Sequence, residues 1–116
     1  MGRREDTKLF SDVEKVFSLR EEGRYIGTVT NIRDKGDVIV VTFAPEHIED
    51  SRQRYSCVRA WLGKRYEEND LMDIFMDVFD NPTTAAEVIG KRCYIDAEYC
   101  GSEENPYMAV VDMEKI

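Results

Sequence analysis

Two short runs of β-branched and aromatic residues constrain the fold of this chain more than any other feature. They are YIGTVTNI, which starts at Tyr25, and VIVVTF, which starts at Val38, and the turn segment RDKGD lies between them. Such runs favour strands, and Gly36 can take the positive φ that a tight reversal needs. The sequence therefore predicts a β-hairpin over about 25–43.

Further elements follow this hairpin along the chain. A loop is expected over 44–54, and then a third strand with the sequence YSCVRAWL. Asn69 is expected to cap an amphipathic helix with apolar residues at Leu71, Ile74, Phe75 and Val78. The spacing of Thr84 and Glu87 predicts another capped turn of helix, which Gly90 ends. The strands CYIDAEYC and YMAVVDMEKI complete the chain, and Cys93, Ile95, Ala97 and Tyr99 are expected to share one side of the first.

The residues before the hairpin predict one more helix. Ser11 and Glu14 have the spacing of a capping box, apolar residues follow at helical intervals, and Gly23 can end the element. We expect a helix over about 12–22, a flexible tail over 1–10 and a single domain over 11–116. The fold class is mainly β. Five strands with a helix between the third and fourth predict a Greek-key barrel like the oligonucleotide/oligosaccharide-binding (OB) fold, with an additional N-terminal helix.

Several functional classes find no support in the sequence. Three cysteines without a CxxC pair and a single histidine, His47, make a zinc site improbable, and no cofactor is expected. The common nucleophile, metalloprotease and nucleotide-binding motifs do not occur, so an enzyme is not expected. On the predicted 67–80 helix, the carboxylates of Asp70, Asp73, Asp77 and Asp80 have the spacing of a solvated face. Without a long apolar run or a signal sequence, we expect a cytoplasmic protein with no membrane partner.

The charge is unevenly distributed along the chain. The formal net charge is −8, yet residues 24–66 carry 8 basic and 5 acidic groups, whereas residues 67–80 carry 6 acidic and no basic groups. The basic region contains the first three strands, and strands 2 and 3 form the oligonucleotide-binding face of an OB fold. The sequence therefore predicts a nucleic-acid interface on this side.

Alternation along the third strand supports this interpretation. Val58, Ala60 and Leu62 are expected to face the core, which directs Arg59 and Trp61 to the other side, together with Tyr55. Aromatic rings can stack on unpaired bases, and cations can neutralise phosphates. The candidate binding residues are Tyr25, Arg33, Lys35, Arg52, Arg54, Tyr55, Arg59 and Trp61. The alternative for Trp61 is burial in the core beneath the N-terminal helix.

Three segments of the chain form a recognisable pattern: GRYIGTVTNIRDKGDVIVVTF from Gly23, GKRCYIDAEY from Gly90 and NPYMAVVDMEKI from Asn105. Together they resemble small single-stranded DNA-binding proteins of phages and mobile elements. The resemblance covers about residues 23–116. It implies an OB-fold barrel that coats single strands during replication or recombination.

The sequence leaves three functional hypotheses. The first is a non-catalytic module that binds single-stranded DNA, with RNA as the alternative ligand, by base stacking and phosphate neutralisation. The second is an acidic protein-interaction module, or DNA mimic, that docks a basic partner on the predicted 67–80 helix. The third is a structural or assembly subunit in which exposed aromatic residues form a homo-oligomer interface.

Overall fold

The computed structural model of the chain describes residues 16–64 and 70–116, and the protein is mainly β. Its strands are β1 (Val16–Phe17), β2 (Gly23–Asp34), β3 (Val38–Glu46), β4 (Arg54–Tyr55), β5 (Val58–Gly63), β6 (Arg92–Gly101) and β7 (Pro106–Glu114). Helix α1 (Leu71–Val78) and a 3-10 turn (Ala85–Glu87) lie between β5 and β6. The predicted helix between the third and fourth long strands is therefore confirmed.

The five longer strands form a closed circuit of pairings. β2 pairs antiparallel with β3 on one side and with β6 on the other, and β6 continues into an antiparallel pair with β7. β5 pairs antiparallel with β3 and parallel with β7. Each of these strands consequently has a neighbour on both sides. The short strand β4 extends the end of β3, and β1 pairs with β4.

The core lies on the inner side of this circuit and takes alternate residues from each strand. In β5 the buried residues are Val58, Ala60 and Leu62, which confirms the predicted inward face. The other strands contribute a fully buried set that includes Val29, Val41, Phe43, Cys93, Ile95 and Ala97. Burial of these apolar side chains supplies the main driving force for folding.

The β2–β3 hairpin is confirmed. Gly36 has a φ of +94°, and its backbone N–H donates to the Asp34 carboxylate at 2.9 Å. The capped turn is also confirmed, because the Glu87 carboxylate accepts the backbone N–H groups of Thr83 and Thr84 at 2.6 and 2.7 Å. Gly90 follows with a φ of +89°.

Helix α1 packs against β5 and β7 and buries Phe75 and Val78. Its N-cap is Asp70, whose carboxylate accepts the backbone N–H of Asp73 at 2.9 Å. The prediction of Asn69 as the cap was therefore wrong by one residue, and Asn69 itself lies outside the described residues. Either side chain can accept such a bond, so the sequence alone did not discriminate between them.

The predicted helix over 12–22 is wrong for the part that the structure describes. Residues 16–17 form β1, and residues 18–22 contain no helix. The Tyr99 hydroxyl donates to the carbonyl of Arg20 at 2.6 Å, and the Tyr99 backbone N–H donates to the Glu22 carboxylate at 2.9 Å. These tertiary contacts outweigh the weak local helix signal. Residues 12–15 and the predicted tail over 1–10 lie outside the described part.

Two element boundaries and the orientation of one side chain also differ from the prediction. The expected loop over 44–54 is shorter, because β3 continues through Glu46 and β4 begins at Arg54. The expected third strand is divided, with Ser56 and Cys57 separating β4 from β5. Tyr99 is half exposed and does not share the buried face of Cys93, because its hydroxyl is held by the segment that precedes β2.

Candidate functional site

A shallow groove of about 430 Å³ lies on the outer side of β2, β3 and β5. Four of the predicted binding residues line it: Arg33, Lys35, Arg59 and Trp61. Asn31, Val40 and Thr42 complete the lining. The structure therefore gathers three cations and one indole ring around a single depression.

The strand register accounts for this arrangement. Arg33 lies opposite Val40, and Val40 lies opposite Trp61, so these three residues form a row across β2, β3 and β5. A second row contains Asn31, Thr42 and Arg59. Residues two apart on a strand point to the same face, so both rows present their side chains outward. Lys35 extends this surface at the hairpin turn.

Val40 forms the floor of the groove. It is buried, yet it does not belong to the core cluster that contains its neighbours Val41 and Phe43. Its register partners Arg33 and Trp61 flank it on the outer face. The groove consequently has an apolar base, with Arg33 of β2 on one side and Trp61 of β5 on the other.

Trp61 faces the solvent, and no helix among residues 16–64 and 70–116 covers it. It is 41% exposed, and its ring meets that of Tyr107 edge to face at 5.5 Å between centroids. The alternative of burial beneath an N-terminal helix is therefore contradicted by its exposure. Tyr107 is itself 49% exposed.

The groove is electropositive as far as residues 16–64 and 70–116 are concerned. Among these residues no carboxylate lines it, and the side chains of Arg33, Lys35 and Arg59 make no hydrogen bond or ion pair. Five other cations of the same part of the chain have carboxylate partners, namely Arg24, Arg52, Lys64, Arg92 and Lys115. The charges of the groove thus remain available to an anionic ligand.

Two of the predicted aromatic binding residues lie elsewhere. Tyr25 is only 5% exposed, and its hydroxyl donates to the carbonyl of Glu21 at 2.7 Å. Burial is also the main cause that raises the pKa of this hydroxyl. Tyr55 is half-buried and packs edge to face on Tyr25, with 5.4 Å between the ring centroids. Tyr25 belongs to the core and Tyr55 packs against it, so neither ring lies in the groove with Trp61, and their role in base stacking stays a prediction.

The two predicted loop arginines also lie outside the groove. Arg52 is bonded to Asp50 at 3.2 Å. Arg54 pairs in register with Glu46, at the C-terminal end of β3 and beyond the groove residues Val40 and Thr42. The pairing of β4 with this end of β3 separates both residues from the cations of the groove.

Sequence reasoning missed four residues of this surface, namely Asn31, Val40, Thr42 and Tyr107. Asn31 and Thr42 line the groove and supply polar side chains between Arg33 and Arg59. Alternation along the predicted hairpin could have identified both, because they share a face with Arg33. Tyr107 could not be found in this way, since its contact with Trp61 depends on how β5 and β7 meet.

A second depression has the opposite character. It lies between α1 and β7 and is lined by Asp73, Asp77, Asp112 and Glu114, among other residues. In the described part of the chain, no group of three or more potential metal-ligating side chains has the geometry to hold a metal ion. None of the helices described here is long and apolar enough to cross a membrane.

The three cysteines are free thiols with different accessibility. Cys57 and Cys100 are half-buried, whereas Cys93 is fully buried in the core. Burial raises the pKa of the Cys93 thiol to about 12. A thiol of this kind is inert, so Cys93 serves as a small core residue.

No model of a known protein family matches the sequence, and no curated protein matches it. The groove and its charges are therefore the basis on which a function can be assigned.

Proposed function

We propose that this protein is a non-catalytic module that binds single-stranded nucleic acid, with single-stranded DNA as the preferred ligand, in the groove of β2, β3 and β5. The observation that carries the proposal is the convergence of Arg33, Lys35 and Arg59, which have no carboxylate partner among the residues that the structure describes, beside the exposed ring of Trp61. Cations with free charge attract phosphates, and an accessible indole stacks on unpaired bases. Bases inside a duplex do not present their faces, so a single strand fits this chemistry better.

The strand circuit supports the same function. If β2, β3, β5, β6 and β7 are counted as strands 1 to 5, the circuit has the antiparallel neighbours and the one parallel closure expected of an OB-fold-like barrel. In that fold the face of strands 2 and 3 binds oligonucleotides. The groove lies on the corresponding strands, β3 and β5, together with β2. We therefore propose an OB-fold-like barrel.

The resemblance to single-stranded DNA-binding proteins of phages and mobile elements suggests the biological setting. There the protein would coat single strands in the cytoplasm during replication or recombination. A surface with little base-specific hydrogen bonding fits such a role, because stacking and phosphate contacts tolerate any sequence.

Fluorescence titration tests the proposal directly. Trp61 is the single tryptophan of the chain, so its emission reports on the groove without labelling. We expect a dT oligomer of about 15 nucleotides to quench this emission at low salt. Neutralising the groove by Arg33→Gln, Lys35→Gln and Arg59→Gln together is expected to weaken binding at least about tenfold.

A matched variant controls for net charge. The substitutions Arg20→Gln, Arg52→Gln and Lys91→Gln remove the same three charges from outside the groove, and we expect them to leave affinity nearly unchanged. Equal losses in the two triple variants would mean that only the overall charge matters. Absence of both quenching and a gel shift at high micromolar protein would refute the proposal.

The acidic depression favours a second candidate function. Asp73 and Asp77 of α1 converge there with Asp112 and Glu114 of β7, which concentrates negative charge from two elements. Such a surface could dock a basic partner or imitate a nucleic-acid backbone. Reversal of Asp73 and Asp77 to Lys should then abolish capture of a basic partner. This candidate would replace the first only if no oligonucleotide bound the protein.

A further inference from the structure

The contact between Trp61 and Tyr107 has a geometry that restricts what can bind to both rings. Their planes are inclined at 75°, and their centroids lie 5.5 Å apart. An edge-to-face contact of this kind occupies one face of one ring and only the edge of the other. Both residues are almost half exposed, so each ring keeps surface that is open to a ligand.

The position of Tyr107 is supported by Gly101. A Cβ atom at Gly101 would lie 2.9 Å from Cε1 of Tyr107, so the ring lies directly over the glycine backbone. Gly101 has a φ of +86° and pairs with Pro106 in the hairpin between β6 and β7. The ring is therefore held by the framework of two strands as well as by Trp61.

Neighbouring bases of a stacked strand are parallel and about 3.4 Å apart. Two ring surfaces inclined at 75° cannot each stack on a base of one continuous stack. A nucleic-acid strand that contacts both rings must separate two of its bases and turn between them. This separation costs less free energy when the bases stack weakly, and stacking strength is a known source of base preference in single-strand binding.

We infer that Tyr107 is a second base-binding ring, and that Trp61 and Tyr107 together select single strands whose neighbouring bases separate easily, such as pyrimidine runs. This inference rests on the proposed function, and it makes Tyr107 a specificity-determining residue. Arg33, Lys35 and Arg59 bind phosphates of any strand, whereas the inclined ring pair discriminates between strands by their stacking.

The test compares labelled dT and dA oligomers of equal length by fluorescence anisotropy at one salt concentration. The wild-type protein is expected to bind dT several-fold more tightly than dA. Tyr107→Leu removes the ring, and we expect it to weaken dT binding about fivefold or more, the equivalent of one lost stacking contact. It should weaken dA binding less, so the preference shrinks. Tyr107→Phe retains the ring and should keep both affinity and preference.

Each outcome separates this inference from the proposed function. Binding of neither oligomer would refute the proposed function itself. Equal affinity of the wild type for dT and dA, or a preference that Tyr107→Leu leaves unchanged, would overturn the inference while single-strand binding stands. Circular dichroism of Tyr107→Leu verifies that the variant is folded. Loss of a dimer in sedimentation, with oligomer affinities unchanged, would instead assign Tyr107 to self-association and also overturn the inference.

Discussion

Trp61 and Leu62 are neighbours in β5 with opposite roles. Leu62 is fully buried, and Trp61 lines the groove. Replacing Leu62 by Ala leaves a cavity, and we expect it to lower the free energy of unfolding by about 2–5 kcal/mol. Trp61→Leu removes a stacking surface and should weaken oligonucleotide binding about fivefold or more. Urea denaturation, monitored by circular dichroism, measures the change in stability. Fluorescence anisotropy with a labelled dT oligomer measures the change in binding.

The two variants control each other. Trp61→Leu should shift the urea midpoint much less than Leu62→Ala, because its side chain already contacts water. In buffer without urea, at a temperature at which both variants are folded, Leu62→Ala should bind the oligomer with the affinity of the wild type. A large loss of stability in Trp61→Leu would show that the indole is a packing residue rather than a binding surface.

The cysteines offer a second prediction at the scale of single residues. Burial raises the pKa of Cys93 to about 12, so this thiol stays protonated at pH 8, and the surrounding core keeps reagents away from it. A thiol-specific reagent applied to the native protein should therefore modify Cys57 and Cys100 and leave Cys93 intact. All three thiols should react in denaturant. Peptide mapping identifies the modified residues, and rapid native modification of Cys93 would contradict the packing of the core.

Tyr25 illustrates the limit of inference from single residues. Its aromatic character is equally suited to stacking on a base and to burial, and the phenol hydroxyl finds a partner in the Glu21 carbonyl. Nothing in the local sequence distinguishes these two environments. The neighbouring ring of Tyr55, 30 positions further along the chain, is what completes the buried site.

Among the strands, β2 depends on the absence of a side chain at Gly27. A Cβ atom there would lie 2.9 Å from both Ile95 Cδ1 and Phe43 Cδ1, inside the core. We expect Gly27→Ala to destabilise the protein by about 1–3 kcal/mol through overpacking. Thermal or urea unfolding measures the change.

Gly63 provides the matched control for this substitution. It ends β5, and a Cβ atom there would meet no atom within 4 Å. Gly63→Ala is therefore expected to change stability only slightly. Similar losses in the two variants would mean that glycine is needed for its backbone freedom rather than for the close approach of β2 to the core.

The turn at Ala85–Glu87 carries a prediction on pH. Backbone N–H groups of Thr84 and Thr83 lower the pKa of Glu87 below its ordinary value of 4.5. Because the folded state holds the ionised form, its stabilising contribution is complete above the ordinary pKa and is lost as the pH falls through the folded value. Glu87→Gln should reduce Tm at neutral pH, and the difference from wild type should disappear in acid.

Thermal unfolding of both proteins across this pH range checks the sign. The exposed carboxylate of Glu98 offers a control, since Glu98→Gln removes the same charge from a group that lies outside the capped turn. A difference between wild type and Glu87→Gln that grows in acid would contradict the assignment of Glu87 as a cap.

On the scale of the whole molecule, a net charge of −8 opposes the approach of a polyanion, yet the groove carries three cations that find no partner in the described part of the chain. Screening over about 8 Å at physiological ionic strength limits the reach of the remote carboxylates, so the local charge decides binding. If three phosphates are neutralised, the logarithm of the affinity should fall with the logarithm of salt at a slope of about −2.

Titration of a dT oligomer at several salt concentrations measures this slope. The triple variant Arg33→Gln, Lys35→Gln and Arg59→Gln should bind with a slope close to zero, because stacking alone releases few counterions. The triple variant with substitutions at Arg20, Arg52 and Lys91 should keep the wild-type slope. A steep slope that persists without the groove cations would place phosphate binding elsewhere on the protein.

The sequence by itself determined the hairpin, the inward face of β5, the amphipathic helix and the cationic character of the first three strands. These features depend on alternation, turn residues and charge within a few neighbouring positions, which the linear order contains. Only the tertiary structure decided that Arg33, Arg59 and Trp61 share one groove, that Tyr25 is buried, and that Tyr107 meets Trp61. Those outcomes depend on which strands lie side by side and in what register, and such contacts join residues that local sequence patterns cannot relate.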